Sequence, residues 1–373
     1  MSQKRKILIY THAMAGGGAE RVCASLASGF VRRGDEVTLA VDFHSQDNGA
    51  YLDPAVQIVQ LGSGHVQNVL RLAQWLAREK PDISLSALGI SNLKHTIAAT
   101  FAGRLSRAIL SYHGFASNEP QTLSRIAYWL TPLETRMTAA TVAVSESLRS
   151  YLIQNWRASP GHTRRIYNPV AIRPADTARD MDHPMVLAVG RLAPQKSFLS
   201  LIRAFALVQC PGARLVILGE GPKRAAIEAE IARLGLAGRV SLPGYASEPW
   251  KMYGEASCFV VSSESETFSL VVVEALANGL PVVSTDCQGP VEILDHGRYG
   301  RIVPYNDPGR MAVAIDASLR DHSDPAPRIA RASVFSLDTG LDQYSQLFDE
   351  VIARHQPLVS GAGAALVQHS GKA

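Results

Sequence analysis

Ile7-Leu8-Ile9-Tyr10 leads through Thr11-His12-Ala13 into Met14-Ala15-Gly16-Gly17-Gly18-Ala19-Glu20-Arg21, and this junction decides the fold. The apolar run reads as a buried strand, and the periodic segment Ala19–Arg33 that follows reads as a helix. Consecutive glycines between them permit a backbone that side chains would obstruct. Such a turn either serves only to reverse the chain tightly or presents the unpaired N–H groups of a helix N-terminus to an anion. The spacing is neither G-x-G-x-x-G nor a Walker loop, which argues against a dinucleotide-dependent dehydrogenase and an NTPase.

The same alternation continues outward. Strands are expected at 37–41, 83–86, 108–112 and 141–144, with helices at 66–80 and 121–138 between them. After the Asn168-Pro169 dipeptide it restarts: strands at 185–189, 214–218, 240–242, 258–261, 281–285 and 301–303, then helices at 307–320 and 337–353. Short β-branched runs separated by helices of ten or more residues signal parallel sheets covered on both faces. The fold class is therefore α/β, with two doubly wound, Rossmann-like domains facing each other across a cleft. Boundaries are expected at 1–168 and 169–335, followed by a terminal helix at 336–355 and a disordered Gly/Ala/Ser-rich tail at 356–373.

At 373 residues, 46% hydrophobic and 19% charged, the chain is long enough for two cores and unlike a disordered or fibrous protein. Its net charge of +4 is too small for a dedicated nucleic-acid binder. Through Asn168 there are 18 Lys and Arg against 11 Asp and Glu; the remainder carries 19 against 22. The two halves are expected to meet different partners. Four scattered cysteines without a C-x-x-C pair fit buried thiols in a reducing compartment rather than a disulfide frame or zinc site. No signal-peptide core and no spanning apolar run is visible, so the expected location is the cytoplasm.

Two further motifs fall at expected strand ends, where open parallel sheets bind ligands. Gly190-Arg191-Leu192-Ala193-Pro194-Gln195-Lys196 sets two cations in a loop before a helix, suited to a diphosphate and to the charge that grows as it departs. In Glu264-Ser265-Glu266-Thr267-Phe268-Ser269-Leu270-Val271-Val272-Val273-Glu274, the eight steps from Glu266 to Glu274 at about 100° each leave them about 80° apart, off a common helix face. Glu266 is therefore expected in the loop and Glu274 inside a helix starting near Ser269. A carboxylate within so apolar a run is costly to bury unless paired.

These motifs, in this order, resemble the retaining GT-B glycosyltransferases of the large family-four group, including those that build bacterial capsule, lipopolysaccharide and lipid-linked glycans. Glu266 and Glu274 match its E-x7-E pattern, and the likeness extends through Gly219-Glu220-Gly221-Pro222, Ser284-Thr285-Asp286 and Val291-Glu292-Ile293-Leu294. The resemblance implies an N-terminal acceptor domain, a C-terminal donor domain and a terminal helix crossing back. It assigns Arg191 and Lys196 to the donor diphosphate, Glu274 to the ribose and Glu266 to the donor hexose. The amides of Phe268, Ser269, Leu270 and Val271, with Thr267 and Gly190 beside them, add to the phosphate site. Gly244 and Tyr245 approach the base, Gly16 and Gly17 face the phosphates, and His113 in Ser111-Tyr112-His113-Gly114 is the active-site histidine. The family commonly reads Glu-Gly-Phe-Gly where this chain has Glu266-Thr267-Phe268-Ser269, and it commonly has Gly at the position of Ser197.

The implied reaction is transfer from a nucleotide-diphosphate sugar, UDP-sugar favoured and GDP-mannose the other candidate, with retention and without cofactor or active-site metal. No side chain is an obvious double-displacement nucleophile. The basic N-terminal half then fits a lipid-linked or surface-glycan acceptor, or peripheral contact with anionic membrane at the cytoplasmic face of the inner membrane. The segment Leu123–Leu133 mixes aromatics with Arg125 and suits such an interface as well as it suits a core-facing helix. The residues leave open a nucleotide-sugar epimerase or hydrolase on the same fold, and a non-catalytic nucleotide-sugar-binding subunit.

Overall fold

The computed structural model describes residues 4–354 apart from 44, 46–47, 119–121, 174–182 and 247. The expected disordered tail and most of the polar stretch after Arg173 lie outside the described residues.

Two all-parallel sheets organise the chain. The first contains β1 (Lys6–Ala13), β2 (Glu36–Phe43), β3 (Gln57–Gln60), β4 (Ile83–Ala87), β5 (Ala108–Tyr112), β6 (Ala140–Ala143) and β7 (Thr163–Arg165), in the order β3-β2-β1-β4-β5-β6-β7. The second contains β8 (Met185–Val189), β9 (Arg214–Leu218), β10 (Val240–Gly244), β11 (Cys258–Val261), β12 (Val282–Thr285) and β13 (Arg301–Val303), in the order β10-β9-β8-β11-β12-β13. Each order reverses direction once, between β1 and β4 and between β8 and β11. The carboxyl ends of those strands therefore open onto the two switch-point crevices.

Strands with both faces covered have no polar side to display, which is why β1 runs apolar over Ile7–Tyr10 and is buried from Ile7 to Thr11. Ile7 and Ile9 join one core cluster with the Gly18–Arg32 and Leu337–Ala353 helices. Leu8 and Tyr10 point the other way, toward the His65–Glu79 and Gly89–Phe101 helices.

β3 (Gln-Ile-Val-Gln) and β7 (Thr-Arg-Arg) were not expected. Both are edge strands, pairing on one side only, and neither carries a long apolar run. The helix expected at 121–138 is broken. Thr122–Ala127 is α-helical, Tyr128–Leu130 tightens to a 3-10 turn, and a new helix runs Thr131–Met137 with Pro132 in its first turn. Proline fits there because the first-turn N–H has no intrahelical acceptor to lose.

The two sheets are joined by packing as well as by the chain. The Leu337–Ala353 helix returns to the first sheet, stacking Phe348 on Phe30 with ring centroids 5.2 Å apart. A side chain at Gly29 would strike Leu341, so that glycine sets how closely the two helices approach. Ion pairs Arg33–Asp342 at 2.7 Å, Arg5–Asp349 at 3.1 Å and Arg164–Glu350 at 2.6 Å line its edges. Glu292 accepts the backbone N–H of Glu146 at 2.8 Å and of Ser147 at 3.2 Å. A carboxylate from the second sheet's helices thus covers the N-terminus of the Glu146–Trp156 helix beside the first sheet.

Candidate active site

The motifs converge where the two switch points face each other. After β1 the chain turns at Gly16-Gly17, with Gly17 as the N-cap of the Gly18–Arg32 helix. Asn48 holds the turn through a 2.6 Å bond from its amide to the Ala15 carbonyl. A Cβ at Gly18 would lie 3.5 Å from Leu270 Cδ1, so the glycine turn abuts the first residue of the Leu270–Ala277 helix across the cleft.

On the opposite side, Gly190-Arg191 follows the end of β8 at Val189, and a 3-10 turn over Pro194–Lys196 returns the lysine toward β11. Gly219, at φ +144, permits this fold because a Cβ there would collide with the Gly190 carbonyl. Lys196 Nζ donates to Glu266 Oε1 at 2.5 Å, and Ser263 Oγ donates to the same oxygen at 2.9 Å. Gly289 N–H holds the Glu266 carbonyl at 2.8 Å. Glu266 is thus a loop residue, fixed by its side chain and its backbone immediately before the helix.

Glu274 lies inside the Leu270–Ala277 helix and is buried, as are Thr267, Phe268, Ser269 and Leu270. Its carboxylate has two partners that sequence reasoning missed. Tyr253 Oη donates to Oε2 at 2.8 Å, while Arg21, on the first helix of the other sheet, pairs with Oε1. Arg21 also stacks over Tyr51, with its guanidinium carbon 4.9 Å from the ring centroid. Arg173 covers Tyr51 and Trp250 at 5.5 and 4.3 Å, closing a cation–π stack across both halves. Arg21 follows the glycine run directly, but only tertiary structure shows which carboxylate it meets.

The helix begins at Leu270, next to the expected start near Ser269. Its N-cap Ser269 has φ +97 and ψ 84, backbone that favours glycine, and its buried Oγ has no hydrogen-bond partner. Ser197 likewise sits at φ +50. At both positions the family commonly has glycine, so the departures are accommodated as local strain. Thr267 is absent from the positive-φ residues and carries no such strain.

His113 follows β5. Its Nε2 lies 2.9 Å from Ser111 Oγ, while its buried Nδ1 has no partner, and burial lowers its pKa to about 4. It is therefore a neutral imidazole with one nitrogen available for a hydrogen bond. Glu20 closes over Gly17: a Cβ on that glycine would overlap the Glu20 carboxylate. Burial raises the Glu20 pKa, against the opposing pull of His12 and Arg191. The glycine turn thus has a carboxylate packed against Gly17. Gly244 ends β10 at φ +92, where a Cβ would strike Glu220, and Tyr245 beside it is exposed.

A second polar cluster was also missed. Buried Asp42 accepts from Tyr10 Oη at 2.8 Å and Lys94 Nζ at 2.5 Å, and lies 2.6 Å from His12 Nδ1. It reaches the end of β1 because Thr11 and Ala13 pair with Val41 and Phe43, placing His12 opposite Asp42.

The chain matches the profile of "Glycosyltransferase Family 4" over residues 16–173 and of "Glycosyl transferases group 1" over residues 171–333. It is 27% identical over 319 residues to the lipopolysaccharide core biosynthesis glycosyltransferase LpsE of Rhizobium meliloti, covering 82% of this chain and 87% of that one. It is 32% identical over 227 residues to the exopolysaccharide phosphotransferase SCO2592 of Streptomyces coelicolor; that match covers 58% of this chain but only 24% of the other. Among solved structures, Anabaena HepE in complex with UDP and glucose superposes with a TM-score of 0.80 at 21% identity, covering 93% of this chain and all of that one. Two facing parallel sheets, the E-x7-E pair at the second switch point and profile matches running from 16 to 333 place this chain in the family 4, group 1 glycosyltransferases of GT-B fold, enzymes that draw on nucleotide sugars and are related to those of lipopolysaccharide and polysaccharide biosynthesis.

Proposed function

We propose that the chain is a retaining hexosyltransferase that takes a sugar from a UDP-sugar and delivers it to a hydroxyl of a lipid-linked or surface-glycan acceptor. The observation that carries this reading is the Lys196–Glu266 bond at the N-terminus of the Leu270–Ala277 helix, facing Gly18 across the cleft. Arg191, Lys196 and the first amides of the helix bring positive charge to one place, where the departing diphosphate is stabilised. Glu274 receives the ribose hydroxyls, sharing its oxygens with Arg21 and Tyr253. Glu266, held by Lys196, faces the hexose. His113 offers its unpartnered Nδ1 to a hydroxyl of the sugar or acceptor. The UDP preference draws support from HepE, whose complexes contain UDP, glucose and UDP-glucose. The acceptor class draws support from LpsE, named for lipopolysaccharide core biosynthesis.

In this reading the residues up to 168 bind the acceptor and those from 169 to 335 bind the donor. The resemblance implies chemistry without an active-site metal, so Arg191 and Lys196 bear the leaving-group charge. The acceptor hydroxyl attacks from the face that the diphosphate leaves, and its proton passes to a diphosphate oxygen. The new C1–O bond forms as the C1–phosphate oxygen bond breaks, with its electron pair leaving on the diphosphate. Trapping a covalent sugar–enzyme intermediate would refute this step. A thermal-shift screen of UDP- and GDP-sugars tests the whole reading. A ligand at 100 times its Kd stabilises the fold by about 2.7 kcal/mol, and no stabilisation by any of them would overturn it.

A further inference from the structure

Glu274 is a charge in an apolar place. It stands in the Leu270–Ala277 helix among Val272, Val273, Ala275 and Leu276, with its side chain only 10% exposed. A carboxylate in such surroundings takes up a proton unless a cation and hydrogen bonds hold its charge. Protonated, it presents an O–H where a ribose hydroxyl needs a lone pair. The cation that holds it charged comes from the other half of the molecule. Arg21 pairs with Oε1, and its own side chain is 16% exposed.

The arginine is held in place from both halves. Its backbone N–H donates to the Gly17 carbonyl at 3.1 Å, so the glycine turn sets where the side chain leaves the Gly18–Arg32 helix. Its guanidinium lies flat against Tyr51, and Tyr51 meets Trp250 edge-on with ring centroids 6.4 Å apart. Asn48 ties this stack to the turn: its amide bonds the Ala15 carbonyl, and its own carbonyl accepts the Tyr51 N–H at 3.1 Å. Across the cleft, Trp250 and Tyr253 stand one turn apart on the Trp250–Glu255 helix. The helix that supports the stack therefore also supplies the phenol that donates to Glu274 Oε2 at 2.8 Å.

We propose that Arg21 is a positioning residue for the nucleotide: it keeps Glu274 ionised and sets the rotation of its carboxylate. The inference rests on the reading of Glu274 as the ribose residue. An ionised carboxylate has about four lone-pair sites. Arg21 and Tyr253 each occupy one, on opposite oxygens, and the sites left over accept the 2′- and 3′-hydroxyls. The nucleotide site of the second half is then complete only with a side chain from the first, although Arg21 itself touches no part of the nucleotide.

The test is calorimetry of the full chain with UDP and with 2′,3′-dideoxyuridine diphosphate, read as the ratio of the two affinities. Arg21→Gln should weaken UDP about tenfold, as for a lost charge-assisted hydrogen bond, and leave the dideoxy nucleotide unchanged. Arg21→Lys, which keeps the charge without the stacked plane, should recover part of the ratio. Tyr51→Leu leaves the ion pair and removes the stack, so it should shrink the ratio severalfold even if Arg21→Gln does not fold. Equal losses for both nucleotides would make Arg21 a strut between the halves and overturn the inference, as would an unchanged ratio in Arg21→Gln or in Tyr51→Leu. Wild-type protein that binds neither nucleotide would strike the donor reading itself, and this inference with it.

Discussion

Replacing Lys196 separates its two duties, and Lys196→Met is the cleanest perturbation. The lysine stem passes within about 3.5 Å of the Cβ position of Gly190, and methionine retains much of that packing. What disappears is the ammonium 2.5 Å from Glu266, in a pair whose side chains are only 23% and 14% exposed. Stranding a carboxylate from a fully buried pair costs about 3–5 kcal/mol, and the residual solvent here reduces that to about 2 kcal/mol. Turnover should fall further, by about 10²–10³-fold, as when one oxyanion donor is removed. The assay is UDP release from whichever UDP-sugar most stabilises the native protein, paired with urea denaturation. Adding Glu266→Gln removes the stranded charge, so Lys196→Met/Glu266→Gln should recover stability but not turnover. If turnover returned with stability, Lys196 would serve only to neutralise Glu266, and the leaving-group argument would be wrong.

Glu274→Gln should weaken UDP binding by about 10–100-fold, the loss expected for charge-assisted hydrogen bonds, and calorimetry with UDP measures it directly. Stability should depend on pH through His113. Its folded pKa of about 4 lies below the ordinary value near 6.5, so its contribution is complete above about pH 6.5 and is lost as pH falls toward 4. That loss is on the order of 3 kcal/mol, His95 shifts in the same direction, and His113→Gln should flatten the slope seen in urea melts between those limits. Ser269→Gly should raise stability by about 1 kcal/mol, because relief of the positive φ exceeds the entropy glycine adds to the unfolded chain. Thr267→Gly, at a residue without positive φ, should not; equal effects at the two sites would dispose of the strain argument.

The fold was legible wherever a strand had to be apolar on both faces. β1, β4, β5, β8, β11 and β12 are central strands, and burial from two sides writes itself into sequence as Val, Ile, Leu and Ala. The edge strands β10 and β13 were read as well, but β3 and β7 were hidden because Gln57-Ile58-Val59-Gln60 and Thr163-Arg164-Arg165 are short and flanked or filled by polar residues. The helix over 121–138 was overread because continuing apolar periodicity outweighed Pro132, which restarts the helix after a 3-10 turn. In the site, Lys196 was legible as a cation in a strand-end loop, Glu266 by its spacing from Glu274, and Glu274 because a charge in an apolar run needs a partner. Which partners they found could not. Lys196 meets Glu266 from 70 residues away, and Arg21 reaches Glu274 from the opposite half of the molecule.

By itself the sequence determined two parallel α/β halves, the glycine-bearing loops at the strand ends, and the charged residues set in those loops or in apolar runs. These depend on periodicity, glycine placement and the cost of burying charge, all of which are local properties. Tertiary structure decided how the halves meet: Arg21 on Glu274, Glu292 on the N-terminus of the Glu146–Trp156 helix, and the last helix folded back on the first. It also decided that Ser269 adopts a positive φ at the start of its helix, and that Glu20 packs against Gly17 of the glycine turn. Such outcomes depend on which groups are brought within a few ångströms of one another. Ion pairing and burial act over that distance, whatever the separation along the chain.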